Sequence, residues 1–437
     1  MRSSPVIALL FLCLVFGGAE GDAADWAIVP SVTQKTEFTN NLNYSFTAPV
    51  SDCIFSLAPA AEFNYTTDIS QLQARLMLTG IHYLNNSQLD HIDQNYQING
   101  RYQVAPRWGL TLKSAYIDDS SLEQEFLASG TIMTRTPRQS IQVGPGVTYS
   151  LTELLAATVN YNFNQVHYQD PRFQNYLTQG VGLNLTQQLK NEKTLLIGSI
   201  QAQETSYPAE DDLFRSLGFQ LGGKHQFSPD CEVTLLGGIN LWFMDTQTQV
   251  QGLSQYPFFI SVRQVKLQSS EATPFVDLSA TRRWTNLSVN GGYSRNQYPS
   301  GNGGIQDLNR IYGSLRYEFT ERLSAGLSAY YSLSDQISSQ NTQNSYQNDF
   351  FGINPIVTYQ LTEELTISPG YQFGLREETT GGSSYSAKVQ SVWLMLTYTR
   401  LSVTSEKKPT TPVGTQPATI PGWEKPGVLG GPPFQLH

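Results

Sequence analysis

Residues 308–335 alternate between apolar and polar side chains almost without a break. Ile311, Gly313, Leu315, Tyr317 and Phe319 share one parity, while Arg310, Tyr312, Ser314, Arg316 and Glu318 share the other. Thr320, Glu321 and Arg322 reverse the chain. Leu323, Ala325, Leu327, Ala329, Tyr331 and Leu333 then alternate with Ser324, Gly326, Ser328, Tyr330, Ser332 and Ser334. A period of two over about ten residues specifies a pair of antiparallel strands with one apolar and one polar face. Strands of soluble sheets average about five or six residues. Runs of about twice that length, long enough to cross a hydrocarbon layer, mark a transmembrane β-barrel.

Composition agrees with that assignment. Only 14% of the 437 residues are charged, against about 25% in ordinary soluble proteins. Gln, Asn, Ser, Thr, Gly and Tyr fill the deficit, and these suit a polar lumen, loops and membrane-interface belts. A formal charge of -9 without a long basic run excludes nucleic acid as a partner.

The N-terminus reads as an export signal over residues 1–23. Arg2 supplies the positive end, residues 6–16 the apolar core, and Gly17, Gly18, Ala19, Gly21, Ala23 and Ala24 the small residues of a cleavage region after Ala19 or Ala23. Cys13 follows Leu12 rather than a small residue, so no lipid attachment is expected there. No later run of about eighteen apolar residues exists. An exported chain that crosses lipid without helices must close a barrel to satisfy its backbone, so outer-membrane lipid is its expected surrounding and the bacterial outer membrane its expected location.

The expected fold is all-β: an antiparallel up-and-down barrel of about eighteen strands over residues 24–400, an even number within the range of bacterial barrels. Compact inner turns fall at residues 66–70, 105–107, 152–153, 191–193, 228–230, 285–286, 320–322 and 362–364. Three share a form in which Thr152 and Glu153, Thr320 and Glu321, and Thr362 and Glu363 sit between apolar residues. The outer connections are longer, with the largest at 119–137, 250–271 and 336–348. Short turns face the periplasm and long loops the exterior. Cys53 then falls at an outer loop and Cys231 at an inner turn, which argues against a disulfide. Residues 401–437, rich in proline from Pro409 to Pro433, read as an extended periplasmic tail. A periplasmic export protein or a cytochrome is a candidate partner for it.

Parity assigns Arg75, Arg101, Lys113, Lys224, Arg283, Arg310, Arg316 and Arg376 to the lumen, opposed by Asp277 and Glu318. Such a basic interior would favour anions. The 250–271 loop carries Tyr256, Phe258 and Phe259, rings that can form a constriction by folding inward or pack among the other loops. His82, His91, His167, His225 and His437 are scattered without metal spacing, and no Cys-x-x-Cys-His haem motif occurs. Ser216 and His225 share a strand, but nothing local makes them a nucleophile and base. No catalytic site, metal or cofactor is expected.

The N-terminal region carries Trp26, then Pro30, Ser31 and Val32, then residues 37–42 reading Glu37, Phe38, Thr39, Asn40, Asn41, Leu42, then Ser51 and Asp52, Pro59 and Tyr65. This stretch resembles the opening of a family of outer-membrane β-barrels associated with exopolysaccharide loci in bacteria that carry the PEP-CTERM sorting system. The resemblance implies a channel role in polysaccharide export and names no substrate-binding residue. By architecture the chain is also similar to the alginate export porins, without a shared motif. Three roles are compatible with the residues: a conduit for an acidic exopolysaccharide, the barrel of a porin-cytochrome electron conduit, or a passive or anion-selective diffusion porin for small solutes.

Overall fold

The computed structural model describes residues 25–120, 135–253, 260–337, 346–380, 383–400 and 403–404. The expected export signal, the tail beyond residue 404, and Tyr256, Phe258 and Phe259 lie outside the described residues.

The described chain is almost entirely strand. β1 (Asp25–Thr39), β2 (Asp52–Thr66), β3 (Ser70–Tyr83), β4 (His91–Ala105), β5 (Trp108–Asp119) and β6 (Arg138–Ser150) form the first third. β7 (Leu155–Tyr168), β8 (Tyr176–Gln188), β9 (Thr194–Tyr207), β10 (Asp212–Ser228), β11 (Cys231–Leu253) and β12 (Ile260–Arg283) form the second. β13 (Leu287–Pro299), β14 (Ile305–Glu318), β15 (Leu323–Ile337), β16 (Tyr346–Gln360), β17 (Leu365–Thr380) and β18 (Ser383–Thr399) complete the wall. Each strand pairs antiparallel with its sequence neighbours, and β1 closes the sheet on β18 from Ser31↔Thr399 to Thr39↔Ser391. A two-residue β19 (Val403–Thr404) extends that seam by pairing with Ile28 and Ala27. Eighteen wall strands therefore close without an edge.

The inner turns are short because their residues supply their own hydrogen bonds. Thr152 Oγ1 accepts the backbone N–H of Leu155 at 3.0 Å, Thr320 Oγ1 that of Leu323 at 3.0 Å, and Thr362 Oγ1 that of Leu365 at 3.0 Å. This is the physical content of the repeated Thr-Glu form: a hydroxyl bonding forward along the backbone stabilises a tight reversal. Asn191 plays the same part through Oδ1, which accepts the Thr194 N–H at 3.0 Å. Trp108 against Tyr149 and Tyr317 against Phe319 place aromatic pairs beside these turns, as expected of an interfacial belt.

One face of the wall is apolar and exposed. Leu57, Leu76, Val159, Leu183, Phe219, Ile239, Ile311, Leu327, Val357 and Leu394 all point outward and are all exposed. The opposite parity carries amides, hydroxyls and charges. A closed sheet with an apolar exterior belongs in lipid, and the protein is a β-barrel of the bacterial outer membrane. Cys53 and Cys231 are free thiols, one near each end of the wall.

One expected loop is not a loop. Of residues 250–271, expected from their irregular pattern as an extracellular connection, 250–253 and 260–271 continue β11 and β12, which stay in register as far as Leu253↔Ile260. This ribbon extends past the point where β10 ends its pairing at Leu213↔Asp245.

Candidate functional site

The lumen of an eighteen-stranded barrel is wide enough for an aqueous channel unless something fills it. Among the described residues, two connections enter it from the outer end. The first is the β1–β2 loop, residues 40–51. Tyr44 adopts a left-handed backbone with φ of 51° and packs among Tyr330, Phe350 and Val389, all from the lumen face of the adjoining wall, β15 to β18. Its ring centroid lies 5.9 Å from that of Phe350, and Gln372 Nε2 donates to its hydroxyl at 3.4 Å. Asn41 Nδ2 donates to the Lys388 carbonyl at 3.3 Å. On the opposite side Arg135 bonds the Leu42 carbonyl at 3.2 Å and the Tyr83 hydroxyl at 2.8 Å. Asn41, Leu42 and Tyr44 are buried, so the first part of the loop packs inside the mouth of the barrel, while residues 47–51 are exposed.

The second is the β13–β14 hairpin. β13 pairs with β12 only from Arg283↔Ser288 up to Val276↔Arg295, while its pairing with β14 continues to Pro299↔Ile305. Its upper part thus leaves the wall. It leans inward, since Asn240 on the lumen face of β11 donates through Nδ2 to Gln297 Oε1 at 2.7 Å. The tip, residues 300–304, crosses to the β7–β9 side. There Tyr207 Oη donates to the Gly304 carbonyl at 2.6 Å and accepts the Ser300 N–H at 3.1 Å. The Gln174 N–H donates to the Gly301 carbonyl at 2.7 Å. Gly303 has φ of +85°, a conformation that calls for glycine, and a Cβ there would lie 2.9 Å from Gln174 Oε1 and push the end of that side chain aside. Tyr168, Tyr176, Tyr207, Phe214, Trp242, Met244 and Ile305 pack beneath it as a buried cluster.

Among the described residues these two connections project into the outer end of the lumen, from the β1–β2 and β13–β14 corners. Sequence reading counted both among the ordinary outer loops. Its only usable signal was the Gly303-Gly304 pair, which marks a tight tip without saying where the tip goes.

All eight cations assigned by parity share the parity of the lumen face in the observed register. Arg75, Arg101, Lys113, Lys224, Arg283 and Arg316 sit in the half of their strands nearer the inner turns. Arg75, Arg101 and Lys113 lie on three successive strands, where Arg75 opposes Gln97 and Lys113 opposes Asn99. Arg310 and Arg376 do not line an open path. Arg310 is 4% exposed. Arg376 is buried, bonds Glu378 at 2.6 Å and Asn348 Oδ1 at 3.1 Å, and its guanidinium lies 4.5 Å from the Phe46 ring centroid. It fastens the inward loop.

The proposed excess of lumen cations does not stand. Asp277 and Glu318 are joined at the same parity by Glu37, Glu62, Asp93, Glu232, Glu271 and Glu378. Lys35, absent from the sequence assignment, pairs with Glu37 at 2.7 Å, and Lys224 pairs with Glu232 at 2.9 Å. Arg316 lies 3.7 Å from Glu318. The acids escaped notice because β1, β2 and β4 mix polar residues into both faces, so parity is not readable there without pairing. Between the charges the lumen is amide-rich: Asn160 and Asn184 bond across β7 and β8 at 2.8 Å, and Ser199 donates to Gln220 at 3.1 Å. Among the described residues no group of three or more His, Cys, Asp or Glu is placed to hold a metal.

A family model described as "Putative MetA-pathway of phenol degradation" matches residues 271–388. No curated protein matches the chain. Among solved structures, Acinetobacter baumannii OccAB3 is 11% identical with a TM-score of 0.42, covering 86% of this chain and 99% of that one. The Pseudomonas aeruginosa outer membrane protein OpdK is 12% identical with a TM-score of 0.41, covering 86% and 99%. Pseudomonas aeruginosa OccK2 (OpdF), solved in complex with glucuronate, is 11% identical with a TM-score of 0.42, covering 86% and 98%. The fold is carried by the chain's own strand register rather than by these likenesses. Apolar exterior, polar lumen and closed wall together make the protein an outer-membrane β-barrel channel.

Proposed function

We propose that the barrel is a diffusion porin for small polar solutes, narrowed at its outer mouth, and that it catalyses no reaction. The observation that carries this reading is the pair of inward connections: residues 40–51 and 300–304 are bonded to opposite walls. A polysaccharide in transit would have to displace both along its whole length, and a haem protein would need the volume they take. A small solute needs only the gap beside them. The amide lining favours hydrogen-bonding solutes, and the mixed charge permits weak selectivity at most. Arg75, Arg101 and Lys113, offset in part by Glu62 directly across from Arg75, leave one side of the lumen slightly basic and bias it weakly toward anions.

Liposome swelling with a graded series of sugars tests the reading. Monosaccharides should enter readily and tri- to tetrasaccharides slowly. Glucuronate and a phenol-sized aromatic belong in the series, given the similar structures and the matching family description. Swelling that is equally fast for long oligosaccharides would favour the export conduit, and none at all would end the porin reading.

A further inference from the structure

The outer face of the wall is unevenly filled. Toward one side Tyr65, Leu72, Leu112 and Val143 are buried against their neighbours. On β8–β11 a groove of about 400 Å³ opens instead. One register row there runs Leu185, Gly198, Leu221, Gly237, and the row above it runs Leu183, Ile200, Phe219, Ile239. The glycines leave the openings. A Cβ on Gly237 would meet nothing within 4 Å, and one on Gly198 would meet only Leu221 Cδ1 at 3.9 Å. Leu221 stands between them, 74% exposed.

All of these side chains face lipid, and the groove lies toward the inner-turn ends of β9 and β11. That is the level of the periplasmic leaflet. We infer that the groove seats an acyl chain of a phospholipid from that leaflet. Its apolar walls are continuous with the lipid-facing surface, and in a bilayer an unfilled groove would forfeit dispersion contacts. A second copy of the chain fits less well. Two barrels in one membrane are related by an axis along the membrane normal, which preserves height. Strands spaced ~4.8 Å apart and tilted ~35–45° put Leu221 and Gly237 roughly 3 Å apart in height. The projecting leucine of one copy therefore misses the opening in the other, whereas an acyl chain adapts along its length.

The test is native mass spectrometry of the full-length protein, delipidated in mild detergent and incubated with phosphatidylethanolamine. Wild type should retain one phospholipid. Gly237→Leu, alone and with Gly198→Leu, should lower retention severalfold. Gly313→Leu, on the outer face of β14, should leave it unchanged. Circular dichroism and heat-modifiable gel mobility establish folding; should Gly237→Leu fail to fold, Leu221→Ala, which removes a groove wall, should also lower retention. A wild type that retains no lipid, equal retention in the filled and control variants, or a lipid-free dimer dissociated by Gly237→Leu would overturn the proposal.

Discussion

Single side chains decide how firmly the lumen is narrowed. Arg376 is buried with Glu378 and Asn348 as partners and Phe46 over its plane. Arg376→Met keeps much of the bulk and leaves Glu378 uncompensated, which should cost about 2–4 kcal/mol. Urea unfolding in detergent measures it, and current noise should rise as residues 40–51 loosen. Lys113→Glu with Arg75→Glu acts on the open part of the lumen. The reversal potential in a salt gradient should move from slightly anionic to cationic, and the change should shrink near 1 M salt, where the Debye length is about 3 Å. At the rim, Asp90 Oδ1 accepts the Tyr83 N–H at 2.8 Å and Oδ2 meets His82 Nδ1 at 2.6 Å. These bonds, the Tyr83 N–H first and His82 second, hold its carboxyl below the usual carboxylate range. A depressed carboxyl stabilises the fold above its unfolded pKa of about 3.9 and loses that contribution as pH falls through the lowered folded value. Hydrogen exchange at the Tyr83 amide, compared after correction for intrinsic rate, should show less protection only on strong acidification.

At the scale of elements, the β13–β14 hairpin is the part whose behaviour the sequence concealed. Only its second strand, β14, lies in the clean alternation from residue 308 onward, and its departure from β12 above Arg295 depends on bonds to Asn240, Gln174 and Tyr207, all distant in sequence. Inner turns were legible because Thr152, Thr320 and Thr362 bond within their own turns. Lumen charges were legible on β14, where alternation is strict, and not on β1, β2 or β4, where only the register shows Glu37, Glu62 and Asp93 facing inward. Residues 260–271 were expected in a loop for the complementary reason: a strand that runs on past its neighbour β10 no longer has to alternate. Tyr207→Phe removes both hydrogen bonds of one hydroxyl to the tip while keeping the ring in its cluster. About 1–2 kcal/mol of clasp energy should go, seen as more frequent opening events in single-channel records. Gly303→Val, which forces a β-branched residue into positive φ against Gln174, should have the larger effect.

For the whole molecule, the wall supplies a route through the membrane, and in the proposed reading residues 40–51 and 300–304 narrow it. Closure follows from the pairing of β1 with β18, and the apolar exterior and polar interior from an alternation that most strands share. The width follows from contacts between residues 40–51, residues 300–304 and opposite walls. The most direct test is single-channel conductance in planar bilayers, comparing wild type with a variant in which residues 41–46 and 300–304 are both replaced by short Gly-Ser links. Wild type should show small, discrete steps, and the double variant steps severalfold larger with weaker discrimination among solutes. Equal conductance in the two, or no conductance in either, would contradict a lumen narrowed by these loops.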